Sequence, residues 1–199
     1  MGQRSEIYLR VNGNLKIASY YHWNFGERMI SRARHSIEYL KNILEEASTY
    51  RLQNEGELEK IRRYFDVNFD MQDIVISTNI IREHQEEFSE DNFCDFVYNY
   101  ESCDGKLFID ITYNEVINNM GHRMLKDYSI KYAFLDDGCN TDHIMNAYQY
   151  MNWDCKGWNK SDELSTEEKA YTKDNIAYLL DNISVLTKSE IIDFLNSEV

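Results

Sequence analysis

A chain of 199 residues that is 43% hydrophobic and 14% aromatic can bury one sizeable core, which excludes an intrinsically disordered protein and calls for no second domain. A formal net charge of −14 at pH 7 argues against direct binding of free nucleic acid, because neutralising phosphates takes clustered Lys and Arg. No apolar run reaches the roughly eighteen residues of a membrane span, and the N-terminus lacks the charged-then-apolar pattern of a secretory leader, so a cytoplasmic location without membrane contact is expected.

The chain opens on its clearest local signal. Ile7, Leu9 and Val11 alternate with Tyr8 and Arg10, Asn12-Gly13 follows, and Leu15, Ile17 and Ser19 then alternate with Lys16 and Ala18. Period-two alternation on both sides of Asn-Gly predicts a β-hairpin, because a type I′ turn needs positive φ at both central residues. Met29, Ile30, Ala33, Ile37, Leu40, Ile43, Leu44 and Ala47 recur at spacings of three and four, with Arg28, Arg32, Arg34, Glu38 and Lys41 mostly elsewhere on the circumference. That spacing predicts a long amphipathic helix with one stripe against a sheet, so residues 6–47 form a hairpin-helix scaffold. Asn24 is the expected N-cap, with Glu27 completing a capping box.

A second helix is expected over Glu57 to Phe65, with Leu58, Ile61, Tyr64 and Phe65 inward. Residues 73–81 read either as a buried strand through Ile74, Val75 and Ile76 or as a helix, since a run this short has no decisive period. A second hairpin is expected over 93–113, with its turn at Cys103-Asp104-Gly105 and Leu107, Ile109 and Ile111 on one face. Asp110, on the other face, reads as a solvated or cross-strand-paired acid. Ile130 to Leu135 reads as a short strand, and residues 143–199 as mainly helical. Helices are expected from His143 to Trp153, from Ser165-Thr166-Glu167-Glu168 onward with Ile176, Leu179, Leu180 and Ile183 inward, and from Thr187 or Ser189 to the end. Together these predict a single α+β domain, an antiparallel sheet of two hairpins packed on amphipathic helices.

The acid is unevenly spread. Residues 1–65 hold eleven Lys/Arg against eight Asp/Glu, whereas residues 66–199 hold ten against twenty-seven. Such an excess serves solubility, or it presents carboxylates to a basic groove on another protein. The candidate contact groups are Glu86, Glu87, Glu90 and Asp91, then Asp136, Asp137 and Asp142, then Asp162, Glu163, Glu167 and Glu168.

Residues that could carry chemistry are few. Asp136, Asp137, Asn140 and Asp142 gather hard oxygen donors suited to Ca²⁺ or Mg²⁺, but lack EF-hand spacing and equally suit a turn built on Asx hydrogen bonds. Cys139, His143 and Cys155, with Cys103, could supply zinc ligands, yet no Cys-x-x-Cys knuckle is present and four reduced thiols are the plainer reading. His84-Gln85-Glu86 has only part of the zinc-deaminase pattern, lacking its Pro-Cys-x-x-Cys. Tyr148, Tyr150, Trp153 and Trp158 read as core and rim packing before a base-stacking platform. The chain has no phosphate-cradling glycine loop, no Gly-x-Ser-x-Gly and no His-Glu-x-x-His, so neither a cofactor nor an enzymatic activity is expected.

Met1-Gly2-Gln3-Arg4, the strand Ile7-Tyr8-Leu9-Arg10, and Tyr21-His22-Trp23-Asn24-Phe25-Gly26 resemble a group of proteins of Gram-positive phages and mobile elements. These begin Met-Gly-Gln-Arg and carry a His-(Gln)-Trp-aromatic-Gly element before a helix; this chain has Ser5 where a His is common. The likeness spans about the first forty-five residues and implies no activity by itself. Physically, His22, Trp23 and Phe25 suit a packing corner between hairpin and helix. Phage origin joined to an acidic later part resembles anti-defence proteins, including anti-CRISPR inhibitors. That resemblance implies a protein that blocks the nucleic-acid or target-reading surface of a basic host effector such as a CRISPR-Cas nuclease, in the cytoplasm of an infected bacterium. The alternatives are a small phage enzyme or ligand-binding protein using the 136–142 loop, and a virion or assembly component.

Overall fold

The computed structural model describes residues 4–22, 26–46, 49–65, 74–76, 87–92, 105–135, 144–154, 158–160, 162 and 164–197. Strands β1 (Arg4–Val11) and β2 (Asn14–His22) form the expected hairpin. Asn12 and Gly13 sit at φ 47 and 83, the paired positive values that the type I′ turn demands. A register shift between Leu9 and Arg10 alters the second half of the pattern: Ile17 stands opposite Leu9 but Leu15 stands opposite Arg10. Lys16 is the extra residue, and Leu15 therefore leaves the face of Ile17 for the opposite one.

The hairpin leads into helix α1 (Glu27–Glu45), in which every inward position expected between Met29 and Leu44 is buried; Ala47 lies outside the described residues. Arg32 is an exception to the expected polar side, at 1% exposure, because α1 is covered from more than one direction. Gly26, not Asn24, is the N-cap, and it makes no side-chain capping bond. Its φ of 55 with ψ of −121 is a conformation open to glycine, so backbone geometry rather than a capping box sets the helix start. A 3₁₀ turn (Thr49–Leu52) connects to α2 (Glu55–Phe65), with Leu58 and Ile61 buried.

Strand β3 (Ile74–Ile76) pairs antiparallel with β2. Strands β4 (Lys106–Ile117) and β5 (Arg123–Leu135) form a long antiparallel pair, and β6 (Ile144–Met145) pairs antiparallel with β5. Helices α3 (Ala147–Asp154), α4 (Thr166–Asn182) and α5 (Lys188–Leu195) follow, with β7 (Ser184–Val185) between the last two. The strand order is β3-β2-β1-β4-β5-β6, with β7 also on β5.

This mixed sheet corrects the expected antiparallel one. β4 runs parallel to β1, with Ile7 opposite Leu107 and Val11 opposite Ile111, and β7 runs parallel to β5. Both edges of Lys106–Ile111 are thus taken, by β1 and β5, and the hairpin partner of this strand is β5; the expected partner over 93–100 lies outside the described residues. Parallel neighbours need a crossover rather than a tight turn, and β2, α1, α2 and β3 all lie between β1 and β4 in the chain.

Each sheet face has its own core. Ile7, Leu9, Val11, Ile17, Leu107, Ile109, Ile111, Tyr132 and Phe134 meet α1, α2, α3 and α4 on one side. Tyr8, Leu15, Ala18, Phe108, Ala133 and Leu135 meet Phe88 and the Ile191, Phe194 and Leu195 stripe of α5 on the other. At about 25 cal/mol per Å² of apolar area, burial on both faces makes the central strands the part of the fold most costly to expose.

Candidate partner-binding surface

The second face carries a ladder that β1 and β4 build in register. Glu6 stands beside Lys106, Tyr8 beside Phe108, and Arg10 beside Asp110. Lys106 Nζ lies 3.1 Å from Glu6 Oε2, which also accepts from the Tyr8 hydroxyl at 2.7 Å. Tyr8 and Phe108 stack at 4.9 Å between centroids. Arg10 donates to both carboxylate oxygens of Asp110, at 2.9 and 2.7 Å, and its third arm reaches Asp193 on α5 at 2.7 Å. Phe194 lies under the guanidinium at 4.9 Å. Burial opposes the Arg10 charge, but the bonds and charges of Asp110 and Asp193 outweigh it and raise the pKa. Of the two readings open for Asp110, solvated or cross-strand-paired, the structure shows the paired one, at 8% exposure.

Acids of the later part also neutralise bases elsewhere, in the first part and in their own. Arg34 on α1 binds Asp174 and Asn175 on α4 as well as Glu38, and lies 4.8 Å over the Tyr178 ring. Lys131 binds Glu190 at 2.5 Å. Within the first part Arg51 bonds to Glu57 and Tyr39. Arg10, Arg34 and Arg51 are thus all engaged inside the molecule, and Arg32 is buried.

The candidate acids fare differently. Glu87, Glu90 and Asp91 are exposed on a segment that is firmly held. Phe88 is buried in the second core, and Asn196, the C-cap of α5, clamps its backbone by accepting from Phe88 N and donating to Phe88 O, both at 2.8 Å. Asn92 closes the segment, accepting from Ser89 N at 2.7 Å and donating to Glu87 O at 3.0 Å. Asp162 and Glu167 are exposed near the start of α4. Glu168 is exposed but occupied: it forms the capping box with Ser165, whose N–H, followed by its side chain, holds the Glu168 carboxyl below the usual range. Thr187 and Glu190 repeat this device at α5.

Glu86, Asp136, Asp137, Asp142 and Glu163 lie outside the described residues, as do Asn140, Cys103, Cys139, His143, Cys155, His84, Trp23 and Phe25. Among the described residues no group of three His, Cys, Asp or Glu is placed to hold a metal ion. The aromatic set divides: Tyr150 is fully buried and stacks on Phe134 at 4.6 Å, Trp158 is buried, and Tyr148 is exposed. Tyr148 and Tyr150 consequently share no platform. The buried ladder was not foreseen, because its signal is the alternation of charge with aromatics in Glu6-Tyr8-Arg10 and Lys106-Phe108-Asp110, which gains meaning only once the two strands are known to be neighbours.

Comparison of the chain with protein-family models, curated proteins and solved structures finds no match in any of the three. No helix of the described residues is long and apolar enough to cross a membrane.

Proposed function

We propose that the protein acts by binding rather than by catalysis, its exposed carboxylates occupying the basic nucleic-acid groove of a partner protein and so inhibiting it, as expected of an anti-defence inhibitor. The reading is carried by the unequal use of charge. Arg10, Arg34 and Arg51 are engaged by internal partners, whereas Glu87, Glu90, Asp91, Asp162 and Glu167 point into solvent. Lys60, Arg123 and Lys126 also reach solvent, but with a net charge of −14 the acids outweigh them. Carboxylates can pair with the Arg and Lys that would otherwise hold phosphate, and a net charge of −14 speeds encounter with a basic surface.

The test is capture of partners from bacterial lysate containing CRISPR effectors by the wild-type protein and by two charge-reversed forms, Glu87→Lys/Glu90→Lys/Asp91→Lys and Asp162→Lys/Glu167→Lys. The reading expects a basic nucleic-acid-binding protein that is released by salt and by added DNA, and lost from at least one variant. Recovery by both variants at the wild-type level would refute it.

A further inference from the structure

The pair β4–β5 projects beyond β1 as a two-stranded arm with an edge that no strand of the described residues pairs. β1 ends at Val11, opposite Ile111, and the Asn12 side chain accepts from Tyr113 N at 2.8 Å. β4 continues to Ile117, and past Tyr113 it has β5 on one side and no other strand beside it among the described residues. Backbone groups alternate sides along a strand, so the N–H and C=O of Glu115 and Ile117, like the N–H of Tyr113, face this open edge. Val116, between them, is 44% exposed and stands opposite Met124, which is 49% exposed. Ile117 and Met120 at the tip are exposed at 72% and 77%.

The arm also differs in charge from the rest of the protein. Residues 112–129 hold Glu115 and Asp127 against Arg123 and Lys126, a balance of zero in a chain of −14. A basic partner is drawn to the acidic body and not to this neutral tip. A second copy meets the least repulsion here.

We propose that two copies of the chain join through this edge, β4 against β4, antiparallel about a two-fold axis at Val116. The geometry is self-consistent. With Val116 facing Val116 of the second copy, Glu115 of each copy lies opposite Ile117 of the other. Both have outward-pointing backbone groups and exchange hydrogen bonds, while the valines form the close non-hydrogen-bonded pair. The exposed side chains then line up as a strip, Met124 and Val116 of one copy followed by Val116 and Met124 of the other. At about 3.3 Å per residue, the two β1 ends stay roughly 30 Å apart, several Debye lengths of about 8 Å, while the 3₁₀ turn comes closer, Thr49 Oγ1 donating to the Glu115 carboxylate beside the axis. The inference does not depend on the partner reading above.

Such a contact is smaller than the roughly 800 Å² per partner of a standard interface, so the association is concentration-dependent. Analytical ultracentrifugation from about 1 µM to about 1 mM is expected to show the 23.7 kDa chain passing to twice that mass. Val116→Lys and Val116→Glu each place like charges directly opposite across the axis and abolish the dimer, and an equimolar mixture of the two restores it. Circular dichroism melts of both variants match the wild type, since Val116 is exposed. A wild-type protein that stays monomeric throughout, a Val116→Lys variant that dimerises normally, or a mixture that stays monomeric would each overturn the proposal.

Discussion

Replacing Asp110 by Ala removes the bidentate partner of Arg10 and leaves a guanidinium whose side chain is only 7% exposed. Removing one member of a buried pair costs about 3–5 kcal/mol, mostly because the remaining charge stays desolvated. Here Asp193 still reaches Arg10 at 2.7 Å, so the lower end, about 3 kcal/mol, is expected. Asp193→Ala is the internal control. Its side chain is 77% exposed, and exposed pairs contribute about 0.2–1 kcal/mol. Joint replacement, Arg10→Met with Asp110→Leu, removes both charges and returns most of the loss, since apolar groups of similar volume can stand in for a buried pair. Urea denaturation monitored by circular dichroism gives the three differences, and about 3 kcal/mol corresponds to a fall in Tm of roughly 6–12 °C at this chain length. If Asp110→Ala and Asp193→Ala cost the same within about 1 kcal/mol, or if the double variant is no better than Asp110→Ala, the buried pair is not what holds β1 to β4.

Further outcomes follow from other sites. Burial works to raise the Glu190 pKa, but its bond to Lys131 and the bonds from Thr187 outweigh this and lower it. A depressed folded-state pKa contributes stability that is fully present above the unfolded value of about 4.3 and is lost as pH falls through the folded value. Lys131→Met should therefore flatten the dependence of stability on pH on the acid side of about 4.3, and an unchanged slope there would contradict the assignment. Thr187→Ala should cost about 1 kcal/mol by opening the capping box of α5; amide exchange across residues 188–195 reads it out, and unaltered protection would count against it. Gly105→Ala should destabilise by about 1–3 kcal/mol, because the added Cβ would lie 3.0 Å from the Tyr150 ring and hydroxyl, and a melt equal to wild type would show that Tyr150 moves aside freely. Asn196→Ala should release Phe88 from its two backbone bonds and raise amide exchange at Phe88, with protection at wild-type level arguing that burial of the ring alone holds the segment.

Local physics settled much of the fold in advance. Asn12-Gly13 dictated its hairpin because few residue pairs accept positive φ twice, and the three-and-four spacing from Met29 to Leu44 dictated α1 because one face of a helix has to be covered. Ser165-Thr166-Glu167-Glu168 marked the start of α4, since a helix N-terminus needs acceptors for its free N–H groups, while the start of α5, open between Thr187 and Ser189 in the sequence, falls at Thr187 with Glu190 completing its capping box. The acidic excess of the later part was legible from composition, but which acids reach solvent was not; the structure exposes Glu87, Glu90, Asp91, Asp162 and Glu167.

Strand adjacency was another matter. Nothing local makes Lys106–Ile111 lie parallel to β1, since the contacts that decide it join residues about a hundred positions apart, as in the Arg10 and Asp110 pair. Nor does residue spacing make 123–129 a strand. Those residues are mostly polar and exposed, and they are extended because β4 pairs with them. The sequence by itself therefore determined which segments turn, coil or carry charge, because those depend on neighbours within a few residues. The tertiary structure alone decided which charges are consumed inside the molecule and which edge is left open, because both follow from which strands become neighbours.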